Sequence, residues 1–158
     1  MRLDEYQWSR NPRGMHNALA TLYINFDANV AMRMGWIKLN TFTTLYVKDI
    51  PRFFAANMTP IVRVFEPKLG NKAPTPQMMT LYRQYFDVGV RWFELYNEPN
   101  LVEEWEGRDR VDWQDTAGII APLMENWLVW AETIISWGGY PAFPALSETV
   151  LPQSAAVK

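Results

Sequence analysis

Asn97, Glu98 and Pro99 follow the largely apolar run RWFELY, so an amide and a carboxylate stand where a strand leaves its sheet. Parallel α/β folds gather their reactive groups at the carboxyl ends of their strands, which makes Glu98 a candidate catalyst by position. Glu94 lies four residues earlier on the same strand face, deeper in the sheet, where pairing with Arg63 or Lys38 is its expected role. His16, Lys38, Asn40 and Arg63 are the other polar side chains whose expected positions let them line the same opening. His16 is the only histidine and the chain has no cysteine, so thiolate metal sites are excluded and no second histidine supports a metal site.

The elements that must position these groups recur as apolar strand, polar loop and amphipathic helix. A first strand is expected over Ala18 to Ile24, with His16 just before it, then a helix over Ala28 to Met34 capped by Asp27. MGWIKLN, Met34 to Asn40, reads as the second strand. Asp49 to Asn57 reads as a helix carrying Pro51 in its first turn, where a missing N–H costs little. TPIVRVFEP supplies a third strand, Pro60 to Glu66. Thr75-Pro76 starts a helix that runs to Val88 and is closed by Gly89. The RWFELY run is the fourth strand, followed by a polar loop, Leu101 to Asp112, and a helix from about Asp115 to Trp137. YPAFPALS reads as a fifth strand interrupted by prolines.

Strand–helix alternation implies right-handed crossovers and a parallel sheet. Within the strands, Lys38, Arg63 and Glu94 fall on one face, while Ile37, Leu39, Val62, Val64, Phe93 and Leu95 fall on the other. A sheet buried under helices on both sides should be apolar on both faces. A barrel interior can hold a paired polar cluster, so the expected fold is α/β of partial (β/α)8 type, a TIM barrel represented by about its first five strand–helix units. Residues 1–158 then form a single domain, incomplete at its carboxyl end, because five strands do not close a barrel of about 250 residues. Self-association through the open barrel edge is the alternative way to cover it.

With 15 Lys and Arg scattered among 17 Asp and Glu, the chain offers no basic patch, and nucleic acid is not an expected partner. The most apolar stretch, Thr116 to Phe143, is broken by Glu125, Asn126 and Glu132, so no membrane span is expected.

Asn97-Glu98-Pro99 at the end of the fourth strand, preceded by FELY and followed by Asn100, resembles the signature of the clan A retaining glycoside hydrolases. The resemblance covers about Met15 to Ser147 and is firmest from Met34 to Asn100. It implies a hydrolase that cleaves glycosidic bonds, with an oligosaccharide or glycoside as substrate and no metal or organic cofactor. Glu98 would be the general acid/base, and Asn97 the residue that hydrogen-bonds the sugar 2-hydroxyl. In this clan a second carboxylate, the nucleophile, ends the seventh strand, about 5 Å from the acid. Glu66 at the end of the third strand and Glu148 after the fifth do not occupy that place. The chain would therefore carry the acid half of a double-displacement site and be inactive alone. His16 and Asn40 are the further candidate sugar contacts. Trp105, in the polar loop LVEEWEGRDR with no evident core to enter, is the candidate stacking platform. Trp127, Trp130 and Trp137 recur at helical spacing and read as core. A non-catalytic carbohydrate-binding or self-assembling partial-barrel module is the alternative to an enzyme.

Overall fold

A computed structural model describes residues 9–17 and 24–147. Five parallel strands form one sheet in chain order, β1 (Gly14–His16), β2 (Trp36–Thr41), β3 (Thr59–Val64), β4 (Trp92–Glu94) and β5 (Tyr140–Ala142). The helices α1 (Phe26–Ala31), α2 (Ile50–Ala55), α3 (Pro76–Asp87) and α4 (Ala121–Trp137) alternate with them. Each strand therefore lies beside its predecessor, and the described sheet has no reversal of strand order. Among the described residues no helix is long and apolar enough to cross a membrane.

Register puts Lys38 beside Ile61, Asn40 beside Arg63, and Arg63 beside Glu94. The strands therefore divide as their alternation predicts. Ile37, Leu39, Val62, Val64, Phe93 and Leu95 are buried in one apolar cluster with Phe53 of α2, Met78, Tyr82 and Tyr85 of α3, and Leu123, Trp130 and Ile134 of α4. Tyr82 is its hub, packed edge-on to Phe93 at 5.8 Å and to Trp130 at 5.6 Å between ring centres. Such aromatic pairs add about 1 kcal/mol beyond the area they bury.

Local rules account for most element ends. The Thr75 side chain accepts from the Met78 N–H, and Pro76 occupies the first turn of α3. Asp115 accepts from the Gly118 N–H at 2.8 Å and opens a π-helical turn, Thr116–Ile120, that runs into α4. At α1 the cap is Asn25, whose Oδ1 accepts from the Ala28 N–H at 3.0 Å. Asp27 stands instead in the first turn, where its charge favours the positive end of the helix. The helix expected to reach Met34 stops at Ala31, since Arg33 adopts φ 54°, outside helical geometry. Except for Ile24, the strand expected over Ala18 to Ile24 lies outside the described residues. The described strand that pairs with β2 is Gly14–His16, so His16 belongs to it rather than preceding it. Gly14 faces Trp36 across that pairing, and a Cβ there would lie 1.9 Å from the indole ring.

The fourth strand is shorter than its apolar run. β3 and β4 pair only as far as Arg63 and Glu94. Beyond them the Tyr82 hydroxyl, delivered by α3, accepts from the Val64 N–H at 3.3 Å and donates to the Glu94 carbonyl at 2.6 Å. Both groups are satisfied without direct strand pairing. This phenol wedge frees the chain after Glu94 to turn away over the end of the sheet.

Candidate functional site

The segment released by the Tyr82 wedge carries Asn97 and Glu98 past the ends of β3 and β4. Below it, on the face turned away from the helices, Lys38 Nζ contacts Glu94 Oε2 at 2.5 Å, with only 14% and 17% of the two side chains exposed. Of the two partners expected for Glu94, the structure pairs it with Lys38.

Arg63 is buried, and its Nη1 donates to Asn97 Oδ1. Burial lowers its pKa, and the carboxylates of Glu94, Glu104 and Glu98 oppose that shift. Asn97 Nδ2 in turn donates to Glu104 Oε1. A guanidinium on β3, an amide at the end of β4 and a carboxylate in the following loop thus form one chain of hydrogen bonds. Asn100 anchors the same turn from the other side: its Nδ2 donates to the Ser147 carbonyl and its Oδ1 accepts from the Ser147 N–H, both at 2.9 Å.

Glu98 differs from its neighbours. It is half-buried, and its carboxylate has neither a hydrogen bond nor an ion pair among the described residues; Arg63 feels it only at a distance. Glu94 and Glu104 are both engaged, and Glu66 is exposed. Glu148 lies outside the described residues.

Asn40 is buried, so its expected contact with a ligand is not open in this structure. Its backbone N–H donates to Asn17 Oδ1 at 2.6 Å, and Asn17 Nδ2 also donates to the Tyr46 hydroxyl at 3.1 Å. The Asn40 Oδ1 and the Arg63 Nε, carried by residues in register across β2 and β3, are both buried without a partner. Each orphaned group costs about 1–3 kcal/mol. His16 stands in register with Lys38 on the exposed edge of the cluster. Although the residue is exposed overall, partial desolvation of its ring, then the charges of Lys38 and Arg63, lower its pKa below the ordinary imidazole value of 6.5.

Trp105 corrects the expectation of an exposed platform. The indole is 5% exposed, packed over Gly70, and its Nε1 donates to the Pro99 carbonyl at 2.8 Å. Gly70 has φ 57° and a Cβ there would lie 2.8 Å from the ring, so the close packing depends on glycine. Leu69 and Trp105 form an antiparallel bridge, and the Gly70 N–H donates to the Glu104 carbonyl at 2.8 Å. Trp105 thus clamps the loop after β4 to the loop after β3, and Arg108 lies over its ring at 5.0 Å. Burial in the loop core removes the free indole face that sugar stacking needs.

The cavity at this end, lined by Arg63, Phe65, Gly70, Asn97 and Glu104 among others, measures about 10 Å³. That is room for a single water. Glu98 is outside it, so a ligand reaching the carboxylate would lie against the open face of the turn.

Sequence reasoning missed Asn17 and Glu104. Glu104 is one of three glutamates in LVEEWEGRDR, and no periodicity separates it from Glu103 or Glu106. Its part is set by the backbone hydrogen bond to Gly70. Among the described residues no group of three or more His, Cys, Asp or Glu could hold a metal ion. Comparison with protein-family models, with curated proteins and with solved structures gives no match, so the reading of this site rests on its own geometry.

Proposed function

We propose that this chain is part of a retaining glycoside hydrolase in which Glu98 is the general acid/base. The observation that carries the reading is the state of Glu98: it is half-buried beside Asn97 on the turn leaving β4, and among the described residues its carboxylate has no hydrogen bond or ion pair, whereas Glu94 and Glu104 are bonded. An unreversed order of five parallel strands agrees with a (β/α)8 barrel, whereas a doubly wound sheet reverses at a switch point. In this proposal Glu98 protonates the glycosidic oxygen as the bond breaks, then takes a proton from the water that hydrolyses the glycosyl-enzyme. Asn97 donates to the sugar 2-hydroxyl, and a strand beyond β5 supplies the nucleophilic carboxylate.

The test is Glu98→Ala in the full-length protein. Alkyl glycosides, whose leaving group needs a proton, should lose about a thousandfold in rate. Dinitrophenyl glycosides should keep their first step, accumulate the intermediate and turn over faster with azide. Equal losses on both, without azide rescue, would sink the acid/base role.

The one-water cavity, which leaves no enclosed substrate cleft at this end, favours a second reading, a module that binds carbohydrate on an open surface or assembles without turnover. Oligosaccharide affinity that survives Glu98→Gln, with no hydrolysis by the unaltered full-length protein, would select it.

A further inference from the structure

We infer that Glu104 is a positioning residue for the Asn97 amide, fixing which end of that amide a ligand meets. The inference deepens the glycosidase reading and rests on it for the identity of the ligand. Asn97 makes two contacts, Oδ1 from Arg63 Nη1 and Nδ2 to Glu104 Oε1. A guanidinium can only donate and an ionised carboxylate can only accept, so turning the amide over would set donor against donor and acceptor against acceptor. The two flanking charges therefore fix the amide orientation chemically.

Both flanking groups are themselves held. Arg63 is buried within β3. Glu104 ends the short 3₁₀ turn Val102–Glu104, its carbonyl accepts from the Gly70 N–H at 2.8 Å, and the next residue, Trp105, is buried over Gly70. A primary amide nitrogen has two hydrogens, and Glu104 takes one. Among the described residues the other has no acceptor, so it is the donor left for a ligand, one residue before Glu98 on the same turn. The ligand class that fits offers a hydroxyl oxygen as acceptor next to the oxygen that Glu98 would protonate, which in a glycoside is the 2-hydroxyl. Without Glu104 the amide keeps Arg63 but its nitrogen is free to swing, and the donor is no longer aimed.

Two measurements test this. The first reads the Asn97 side-chain amide by ¹⁵N–¹H NMR in the chain itself, assigned through Asn97→Asp. In the unaltered protein one amide proton should be shifted downfield and exchange slowly. Glu104→Ala should abolish both properties, and Glu104→Gln, which keeps an acceptor at the same reach, should restore them in large part. Asn97 resonances unchanged by Glu104→Ala, in a protein whose remaining spectrum is also unchanged, would overturn the inference. If Glu104→Ala does not fold, Glu104→Gln and Glu104→Met supply the same contrast.

The second compares dinitrophenyl glycosides with their 2-deoxy analogues in the full-length enzyme. Glu104→Ala should lower kcat by about ten- to a hundredfold on the 2-hydroxy substrate and by less than about threefold on the 2-deoxy one, with KM little changed on either. Equal losses on both would make Glu104 a structural residue and overturn the inference. Absence of hydrolysis by the unaltered full-length protein would instead remove the glycosidase reading and leave the NMR comparison to decide the orientation of Asn97.

Discussion

Alternate residues of the same strands meet opposite surroundings. Ile37, Leu39, Val62, Val64, Phe93 and Leu95 point into the helix layer and are at most 2% exposed. Their neighbours Trp36, Lys38, Asn40, Arg63 and Glu94 form a face that mixes indole, amide and charge, with two buried atoms left unpartnered. The helix-covered face specifies the fold redundantly, by close packing of many apolar groups. The other face holds polar groups in pairs, where each member depends on one partner. Chemistry belongs on the second face, because a fold stabilised from one side tolerates unsatisfied groups on the other. Tyr82 stands between the two regimes, apolar in its ring contacts and polar at its hydroxyl.

Tyr82→Phe gives the largest expected effect on this division. The ring contacts with Phe93 and Trp130 remain, but the Val64 N–H and the Glu94 carbonyl lose the hydroxyl that satisfies both. One buried and one part-buried backbone group left bare should cost about 3 kcal/mol in all, measured by urea unfolding. The alternative outcome is a loss below about 1 kcal/mol, which would mean that β3 and β4 zip together once the phenol oxygen is gone. In that case the hydroxyl would not be what spreads the strand ends and aims the Asn97–Glu98 turn.

Glu94→Ala probes the polar face. It leaves the Lys38 ammonium beside Arg63 and His16 without its anion. Removing one partner of a fully buried pair costs about 3–5 kcal/mol, but Lys38 keeps 14% of its side chain in contact with solvent, so about 2 kcal/mol is expected here. Lys38→Met combined with Glu94→Leu should recover most of that loss, because the pair itself contributes little against apolar side chains of similar size. A double variant as unstable as Glu94→Ala would show that one of the two charges has a further structural partner.

The contrast between faces was legible in the sequence because alternation is local: period 2 places Lys38, Arg63 and Glu94 together whatever the loops do. The start of α3 was legible for the same reason, since Thr75 and Pro76 act on their own helix. What escaped depends on distant residues. The end of β4 is decided by a hydroxyl from α3, and no property of FELY announces it. The fate of Trp105 is decided by Gly70, thirty-five positions away, whose missing side chain makes room for the ring. The cap of α1 escaped differently: Asn25 and Asp27 are both good caps, and only the backbone path selects Asn25. The placement of Asn97 and Glu98 on a turn just past a strand was readable from the apolar run before them, though that strand stops at Glu94 rather than Tyr96. Glu104, which binds Asn97, was not distinguishable from its acidic neighbours.

The smallest expected effect concerns His16, at the edge of the polar face, and it appears in pH dependence rather than in stability at neutral pH. Burial disfavours the imidazolium most, then Lys38 and Arg63 repel it, while a hydrogen bond with the Asn17 backbone and the charge of Glu94 pull the other way. The balance lowers the folded-state pKa below 6.5. Between those two values the unfolded chain binds more protons than the folded one, so stability rises with pH across the window. The His16 contribution is fully present above the unfolded pKa and is lost as pH falls through the folded one. His16→Gln removes the titrating group and should flatten the urea midpoint between about pH 7.5 and about pH 5 relative to the unaltered chain. Glu94→Ala removes a nearby negative charge that favours the imidazolium, so in that variant the His16-dependent slope should steepen. Equal slopes for His16→Gln and the unaltered chain would place His16 in open solvent, beyond the reach of Lys38 and Arg63, and would restrict the charged cluster to β2, β3 and the turn after β4.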